Sequence, residues 1–103
     1  MVFGLKDEVI ERIRGVFRKY PEIEMAILYG SRAKGEHKPS SDIDLTLKGE
    51  NLTETIRNQI SLDLDDLLLP YLIDISIHAH IGNKDLMEHI DRVGKEFYTL
   101  RQS

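Results

Sequence analysis

One stretch of the sequence indicates the architecture: Gly30-Ser31-Arg32-Ala33-Lys34-Gly35, followed after a short polar loop by Ser41-Asp42-Ile43-Asp44-Leu45. It comes directly after the apolar run 25–29, which predicts a strand mostly hidden from water. Glycine lets a ligand approach the backbone closely, and serine can cap the short helical turn predicted for 31–34. The start of such a turn presents unpaired N–H groups and a positive dipole end, which favour a phosphate. The first half of the stretch therefore predicts an anion-binding cradle.

The second half of the stretch predicts a cation site. Residues 42–47 alternate between polar and apolar, which is typical of a strand, predicted here over 42–48. Asp42 and Asp44 then share one face of that strand, roughly 6–7 Å apart along the chain. Because two adjacent carboxylates repel each other, a divalent cation between them is the usual remedy. An anion cradle beside a cation site indicates an enzyme that acts on nucleotide phosphates.

Composition limits the remaining choices. The 103 residues predict a single domain, 1–103, with one core and no room for a separate substrate-binding domain. There are no cysteines, so disulfides and thiolate metal sites are excluded. Lys6, Asp7 and Glu8 precede any long apolar run, which argues against a signal peptide, and no window has the length of a membrane span. We therefore expect a cytoplasmic protein that does not bind membranes.

The net charge of −4 argues against a protein that holds extended nucleic acid, since that function needs a clustered basic surface. A free nucleotide, together with a protein or a small molecule, is the expected pair of substrates.

The flanking segments predict three longer helices. The first runs from Leu5 to Tyr20, and the second begins at a capping-box pattern, Asn51 with Glu54, and is closed by Pro70. The third begins at Asn83 and ends at Gly94. The apolar tail of Phe97, Tyr98 and Leu100 is expected to pair at the sheet edge or to dock on a partner. Loop 36–41 is expected to be exposed and mobile, with His37 and Lys38 in solvent.

A further strand is predicted over Tyr71–Ala79, because apolar and polar residues alternate there. Its polar face would carry Asp74 and Ser76, followed by His78 and His80. A carboxylate among isoleucines is poorly placed without a cation or a donor nearby. If this strand lies beside 42–48 with the polar faces aligned, Asp74 completes a triangle with the two upstream aspartates. An exposed aspartate on an edge strand is the alternative.

Two other clusters are weaker signals. Two histidines on one face, His78 and His80, could bind a transition metal, but exposed histidines at a strand end are commoner. Asp63, Asp65 and Asp66 point different ways on a helix, so we interpret them as a solvated acidic face.

The spelling G-S-R-A-K-G-x5-S-D-I-D-L resembles the signature of the polymerase-beta-like nucleotidyltransferase superfamily. Within it, the chain is similar to the minimal nucleotidyltransferases, small proteins often paired with HEPN-domain toxins. The order of the elements predicts an α+β fold with helices packed on one face of a sheet of three or four strands. The resemblance implies that this sheet is the small mixed β-sheet of the nucleotidyltransferase fold.

The resemblance also implies a reaction, the Mg²⁺-dependent transfer of a nucleoside monophosphate, AMP from ATP, to a hydroxyl with release of pyrophosphate. Asp42, Asp44 and Asp74 would be the catalytic and metal-binding residues, and Asp74 matches the third carboxylate of the family. The nucleotide would be bound by Gly30, Ser31, Arg32 and Ser41. Arg32 and Lys34 would steady phosphate charge or lie on the surface; the sequence leaves this open.

The implied partner is a separate helical HEPN-type protein, which the chain would adenylylate as the antitoxin of a HEPN/MNT pair. The alternative is a non-catalytic subunit that binds nucleotide or masks the toxin by contact alone. A third hypothesis is a transition-metal protein that uses the two histidines described above. The sequence leaves the oligomeric state open, a homo-oligomer included.

Overall fold

The computed structural model describes residues 2–100. In this range the helices and strands follow one another as α1 Asp7–Phe17, β1 Met25–Tyr29, α2 Ser31–Lys34, β2 Ile43–Lys48, α3 Glu54–Asp65, β3 Ile73–Ile77, α4 Lys84–Val93 and β4 Lys95–Thr99. A single 3-10 turn, His78–His80, lies between β3 and α4. None of the helices in residues 2–100 is long and apolar enough to cross a lipid bilayer.

Within residues 2–100 the strands form one sheet of four, in the order β3-β2-β1-β4. β2 runs parallel to β3, whereas β1 is antiparallel to both β2 and β4. The register places Tyr29 opposite Asp44, and Asp44 opposite Asp74. The predicted α+β class with a mixed sheet is confirmed, and the tail that follows α4 pairs at the sheet edge as β4.

One face of the sheet packs against α1 and α3 and forms the core, as the sequence predicts for helices on one face. Its side chains alternate along the strands with those of the opposite face. Buried members of this core include Ala26, Leu28, Leu45, Leu47, Ile75, Ile77, Ile13, Phe17, Ile60 and Leu64.

The opposite face carries Tyr29, Asp44 and Asp74, and α4 lies against part of it. The ring of His89 in α4 packs edge-on against Tyr29, with 6.2 Å between the ring centroids. α4 therefore lies on the second face of the sheet, which differs from the prediction that the helices pack on one face only.

The predicted bounds of the strands at 25–29 and 42–48 are right to within one residue, but the strand predicted over 71–79 spans only Ile73–Ile77, and the helix bounds are less accurate. α1 is shorter at both ends than the predicted range 5–20. The predicted cap at Asn51 is wrong: α3 begins after Thr53, whose side chain accepts the N–H of Ile56. The predicted cap at Asn83 is confirmed, since its side chain accepts the N–H groups of Asp85 and Leu86. Both observed caps, Thr53 before α3 and Asn83 before α4, have an extended backbone, as is usual for a residue that caps the start of a helix.

Candidate active site

Gly30 joins β1 to the short helix α2 in a conformation that requires glycine. Its φ is +77°, and a Cβ built on it would overlap the Oδ2 atom of Asp44. Its carbonyl accepts the N–H of Lys34 at 3.2 Å, which closes the turn. Gly35, also at φ +77°, ends α2 in the left-handed region. The Gly-Ser turn therefore exists as predicted, and it lies directly against the first carboxylate of β2.

The three predicted carboxylates lie on one face of the sheet. Asp44 is partly buried on β2 opposite Asp74 of β3, while Asp42 lies two residues before Asp44 and is exposed. Burial raises the pKa of the Asp44 carboxyl above its ordinary value, and the charges of Asp74 and Asp42 raise it further. The structure therefore has the alignment on which the Asp74 prediction depended, and the charges of Asp74 and Asp42 act on Asp44.

The chemistry of these donors fits Mg²⁺, which takes oxygen ligands and is commonly held by one or two carboxylates together with substrate phosphates. As the side chains stand, no group of three or more His, Asp or Glu residues within 2–100 is arranged as a complete metal site. Burial and the charges of Asp74 and Asp42 raise the pKa of Asp44, an effect that a bound cation would oppose. Asp42, Asp44 and Asp74 are the residues that would hold the ion.

Arg32 is 2% exposed, and its guanidinium binds backbone carbonyls. It donates to Phe3 at 2.9 Å, to Pro39 at 3.2 Å, and twice to Ser41 at 2.9 and 3.1 Å. The guanidinium carbon also lies 5.1 Å from the ring centroid of Tyr71. The predicted nucleotide contact of Arg32 stays a prediction, because these donors face the protein. Its observed role is to position the loop that leads into the first aspartate of the site.

Ser41 closes a turn in the same loop. Its hydroxyl accepts the N–H of Lys38 at 2.8 Å, and its own N–H donates to the Lys38 carbonyl at 3.0 Å. The prediction that His37 lies in solvent is wrong, because its ring lies against the backbone of Gly4. Lys38 is exposed, as expected. The loop is thus attached to the protein at several points, and the nucleotide contact predicted for Ser41 remains a prediction.

His89 is the site residue that the sequence reasoning missed. Its Nε2 lies 3.1 Å from the backbone nitrogen of Gly30 and accepts that N–H. Burial raises the pKa of the neighbouring Tyr29, a hydrogen bond with Ser76 opposes this, and the charge of Asp44 raises it further. The signal for His89 was its helical spacing: it lies three residues after Leu86, on the apolar side of α4.

His78 and His80 do not converge. The strand that would have placed both on one face ends at Ile77, and the two residues lie in the 3-10 turn. His80 Nδ1 pairs with Glu54 Oε2 at 2.8 Å, whereas burial and the charge of Lys48 lower the pKa of His78. The transition-metal hypothesis therefore loses its geometric basis.

The mixed sheet carries a Gly-Ser turn after β1, and carboxylates are aligned on β2, which pairs with β1, and on β3, which pairs with β2. The chain matches the family described as "Polymerase beta, Nucleotidyltransferase" over residues 11–102 and therefore belongs to that family.

Solved structures show the same fold. A toxin–antitoxin complex with AMP-PNP contains a chain with TM-score 0.71 and 21% identity, covering 90% of this chain and 75% of that chain. The toxin–antitoxin MntA-HepT gives TM-score 0.67 and 18% identity, with 94% and 75% covered. The structure of a tri-AMPylated Shewanella oneidensis HEPN toxin in complex with MNT antitoxin contains a chain with TM-score 0.69 and 18% identity. The match covers 95% of this chain and 76% of that chain. No curated protein sequence matches the chain. The predicted nucleotidyltransferase family is confirmed, and the predicted resemblance to the nucleotidyltransferases of HEPN/MNT pairs is confirmed for the fold.

Proposed function

We propose that this protein transfers AMP from ATP to a hydroxyl of a HEPN-type partner and releases pyrophosphate. One observation carries the proposal: the β2–β3 register sets Asp44 opposite Asp74, beside the Gly-Ser turn and on the same face as Asp42. A site with this order of groups can bind a triphosphate at one end and receive an acceptor at the other.

Each group has a part in the reaction. The acceptor oxygen forms a bond to the α-phosphorus, the bond from that phosphorus to the β-phosphate oxygen breaks, and pyrophosphate leaves. Gly30 and Ser31 bind the β- and γ-phosphates. Asp74, on the strand farthest from the cradle, takes the proton of the acceptor hydroxyl. Asp42, Asp44 and Asp74 would hold Mg²⁺, which would supply neutralising charge to the phosphates.

The identity of nucleotide and partner rests on the similar structures. One of them contains AMP-PNP, and another is a HEPN toxin that carries AMP groups in complex with an MNT antitoxin. Those facts concern those proteins, and they support the choice of ATP, of a HEPN-type acceptor and of an antitoxin role here. The cytoplasmic location belongs to the same proposal.

A non-catalytic masking subunit is the second candidate, and one contact favours it. The Gly30 N–H, a donor that the transfer reaction would offer to phosphate, is already bound by His89 Nε2. A subunit that neutralises its partner by contact alone would have no need to free this donor.

Intact-mass spectrometry separates the two. A HEPN-type toxin from the same genome is incubated with the protein, ATP and MgCl₂, and we expect it to gain whole AMP units. Asp42→Asn/Asp44→Asn should abolish the gain, whereas Glu88→Gln, which removes an exposed carboxylate of α4, should leave it unchanged. If the double variant neutralises the toxin as well as the wild type does, masking is the mechanism and the transfer proposal is wrong.

A further inference from the structure

The segment between α3 and β3 turns large apolar side chains towards solvent. Its residues alternate in burial: Leu67, Leu69 and Tyr71 pack against the core. Three others are exposed and are called the leucine patch from here on: Leu68, Pro70 and Leu72. Leu68 is 88% exposed and Leu72 is 74% exposed, the two largest values among the exposed large hydrophobic residues in the described part of the chain.

The backbone of Leu68 is in a strained conformation. Its φ is +54°, in the left-handed region that leucine rarely adopts. The side chain gains no burial in return, since most of its surface is in water. A strained backbone that displays an apolar side chain is better explained by a contact with another molecule than by the stability of this fold.

Leu72 connects the patch to the catalytic carboxylates. Its carbonyl accepts the N–H of Ile43 at 2.9 Å, which places it beside the start of β2. Because side chains alternate along an extended chain, residue 72 shares the face of the sheet that carries Asp74. Leu72 thus borders the site at β3, where Asp74 would take up the proton of the acceptor hydroxyl.

The order of the strands indicates from which side of the site the acceptor enters. The Gly-Ser turn follows β1, Asp44 lies on β2, and Asp74 lies on β3, which is an end strand of the sheet. In an in-line displacement the leaving pyrophosphate and the incoming hydroxyl occupy opposite sides of the α-phosphorus. With the pyrophosphate at the turn after β1, the acceptor enters over β3, where the leucine patch lies.

We propose that the leucine patch is the docking surface for the acceptor protein, a partner with apolar side chains ringed by Lys and Arg around the acceptor hydroxyl. Asp65 and Asp66, both exposed, lie beside the patch in the chain, and Asp74 and Asp42 border its other side. This acidic rim complements a basic partner. The high exposure of both leucines suits a macromolecular surface, since small substrates are bound in enclosed pockets. The proposal rests on the proposed function for the identity of the acceptor.

The test measures binding without transfer. Calorimetry without nucleotide follows binding of the HEPN-type toxin by the full chain. We expect Leu68→Ser/Leu72→Ser to weaken it at least about tenfold. Val2→Ser/Leu100→Ser is the matched control, because it removes two other exposed apolar side chains, 50% and 46% exposed, on the β4 side of the sheet. Asp65→Lys/Asp66→Lys should weaken binding too, and salt should weaken binding by the wild type.

A second titration with AMP-PNP identifies what the patch contacts. Unchanged AMP-PNP affinity in the leucine variant, together with lost toxin binding, supports the docking surface. If AMP-PNP binding falls and toxin binding does not, the patch contacts the nucleotide and the proposal is wrong. It is also wrong if wild type and leucine variant bind the toxin equally, or if the wild type does not bind it. Toxin binding that depends on the patch, without any AMP transfer, would remove the proposed reaction and leave the surface standing.

Discussion

The backbone of Gly30 lies directly against the carboxylate of Asp44, so close that a Cβ on residue 30 would overlap Oδ2. The turn that would bind phosphate is therefore in direct contact with Asp44, the central carboxylate that would bind a cation. Any side chain at position 30 displaces the carboxylate, or the turn, or both. This contact explains in steric terms why glycine is needed where β1 ends.

Gly30→Ala should remove at least about 99% of transfer activity, since small displacements of positioned groups cost about 10²-fold in rate. Gly35→Ala is the matched control, because it has the same φ of +77° but nothing within 4 Å of the added Cβ. Both variants should lose roughly 1–2 kcal/mol of stability to backbone strain. Equal activity in the two variants would show that the contact with Asp44 is unimportant.

His89→Ala should lower the KM for ATP about fivefold with a smaller change in kcat. The imidazole accepts the Gly30 N–H at 3.1 Å, so phosphate must displace it to reach this donor, and such a bond contributes about 1 kcal/mol. His89→Gln keeps an acceptor and should show a smaller change. Steady-state kinetics with varied ATP measures both. A higher KM in His89→Ala would mean that the ring positions the Gly30 amide instead of competing with phosphate.

Arg32→Met should destabilise the protein by about 2–4 kcal/mol, because it leaves the carbonyls of Phe3, Pro39 and Ser41 without their charged donor. Activity should fall as well, because the hydrogen bonds from Arg32 to these carbonyls position the loop before Asp42. Lys34→Met is the control: its ion pair with Glu36, at 3.3 Å, is exposed and contributes little. Urea unfolding followed by circular dichroism gives the comparison. A stable Arg32→Met that loses ATP affinity would instead favour the predicted nucleotide contact.

Local patterns were sufficient to predict much of this fold and site. Alternation in 42–47 and 71–79 placed Asp42, Asp44 and Asp74 on polar faces, because the side-chain period of a strand is local. The Gly-Ser turn followed from the chemistry of two adjacent residues. The alignment of Asp74 with Asp44 was stated only as a condition, since strand order and register depend on the packing of the whole sheet.

What the sequence did not reveal depends on contacts between distant residues. His89 reaches Gly30 across 59 positions, and Arg32 binds the carbonyl of Phe3 across 29. A histidine on an apolar helix face and an arginine in a short helix both have ordinary local explanations. Their roles appear only once α4 is seen on the site face and the N-terminal segment against the loop.

The segment that follows α1 is bound to α3 by Tyr20 and Asp63. The Tyr20 hydroxyl donates to Asp63 Oδ2, and Lys19 Nζ lies 3.3 Å from the same oxygen. Burial, the hydrogen bond and the charge of Asp63 together raise the pKa of Tyr20 to about 12. The hydrogen bond from Tyr20 in turn lowers the pKa of Asp63. Tyr20→Phe should lower the thermal midpoint by roughly 4 °C at neutral pH.

The pH dependence of that difference tests its cause. Folding raises the pKa of Tyr20 above 10.0, so its contribution is complete below pH 10 and is lost as the pH rises through about 12. Folding lowers the pKa of Asp63 below 3.8, so on the acid side the contribution is present above pH 3.8 and is lost as the pH falls through the folded-state value. The midpoints of wild type and Tyr20→Phe should therefore differ between about pH 4 and 10 and converge beyond both limits. Calorimetric scans across this range measure the difference, and a gap that persists at pH 12 would assign the loss to packing of the ring.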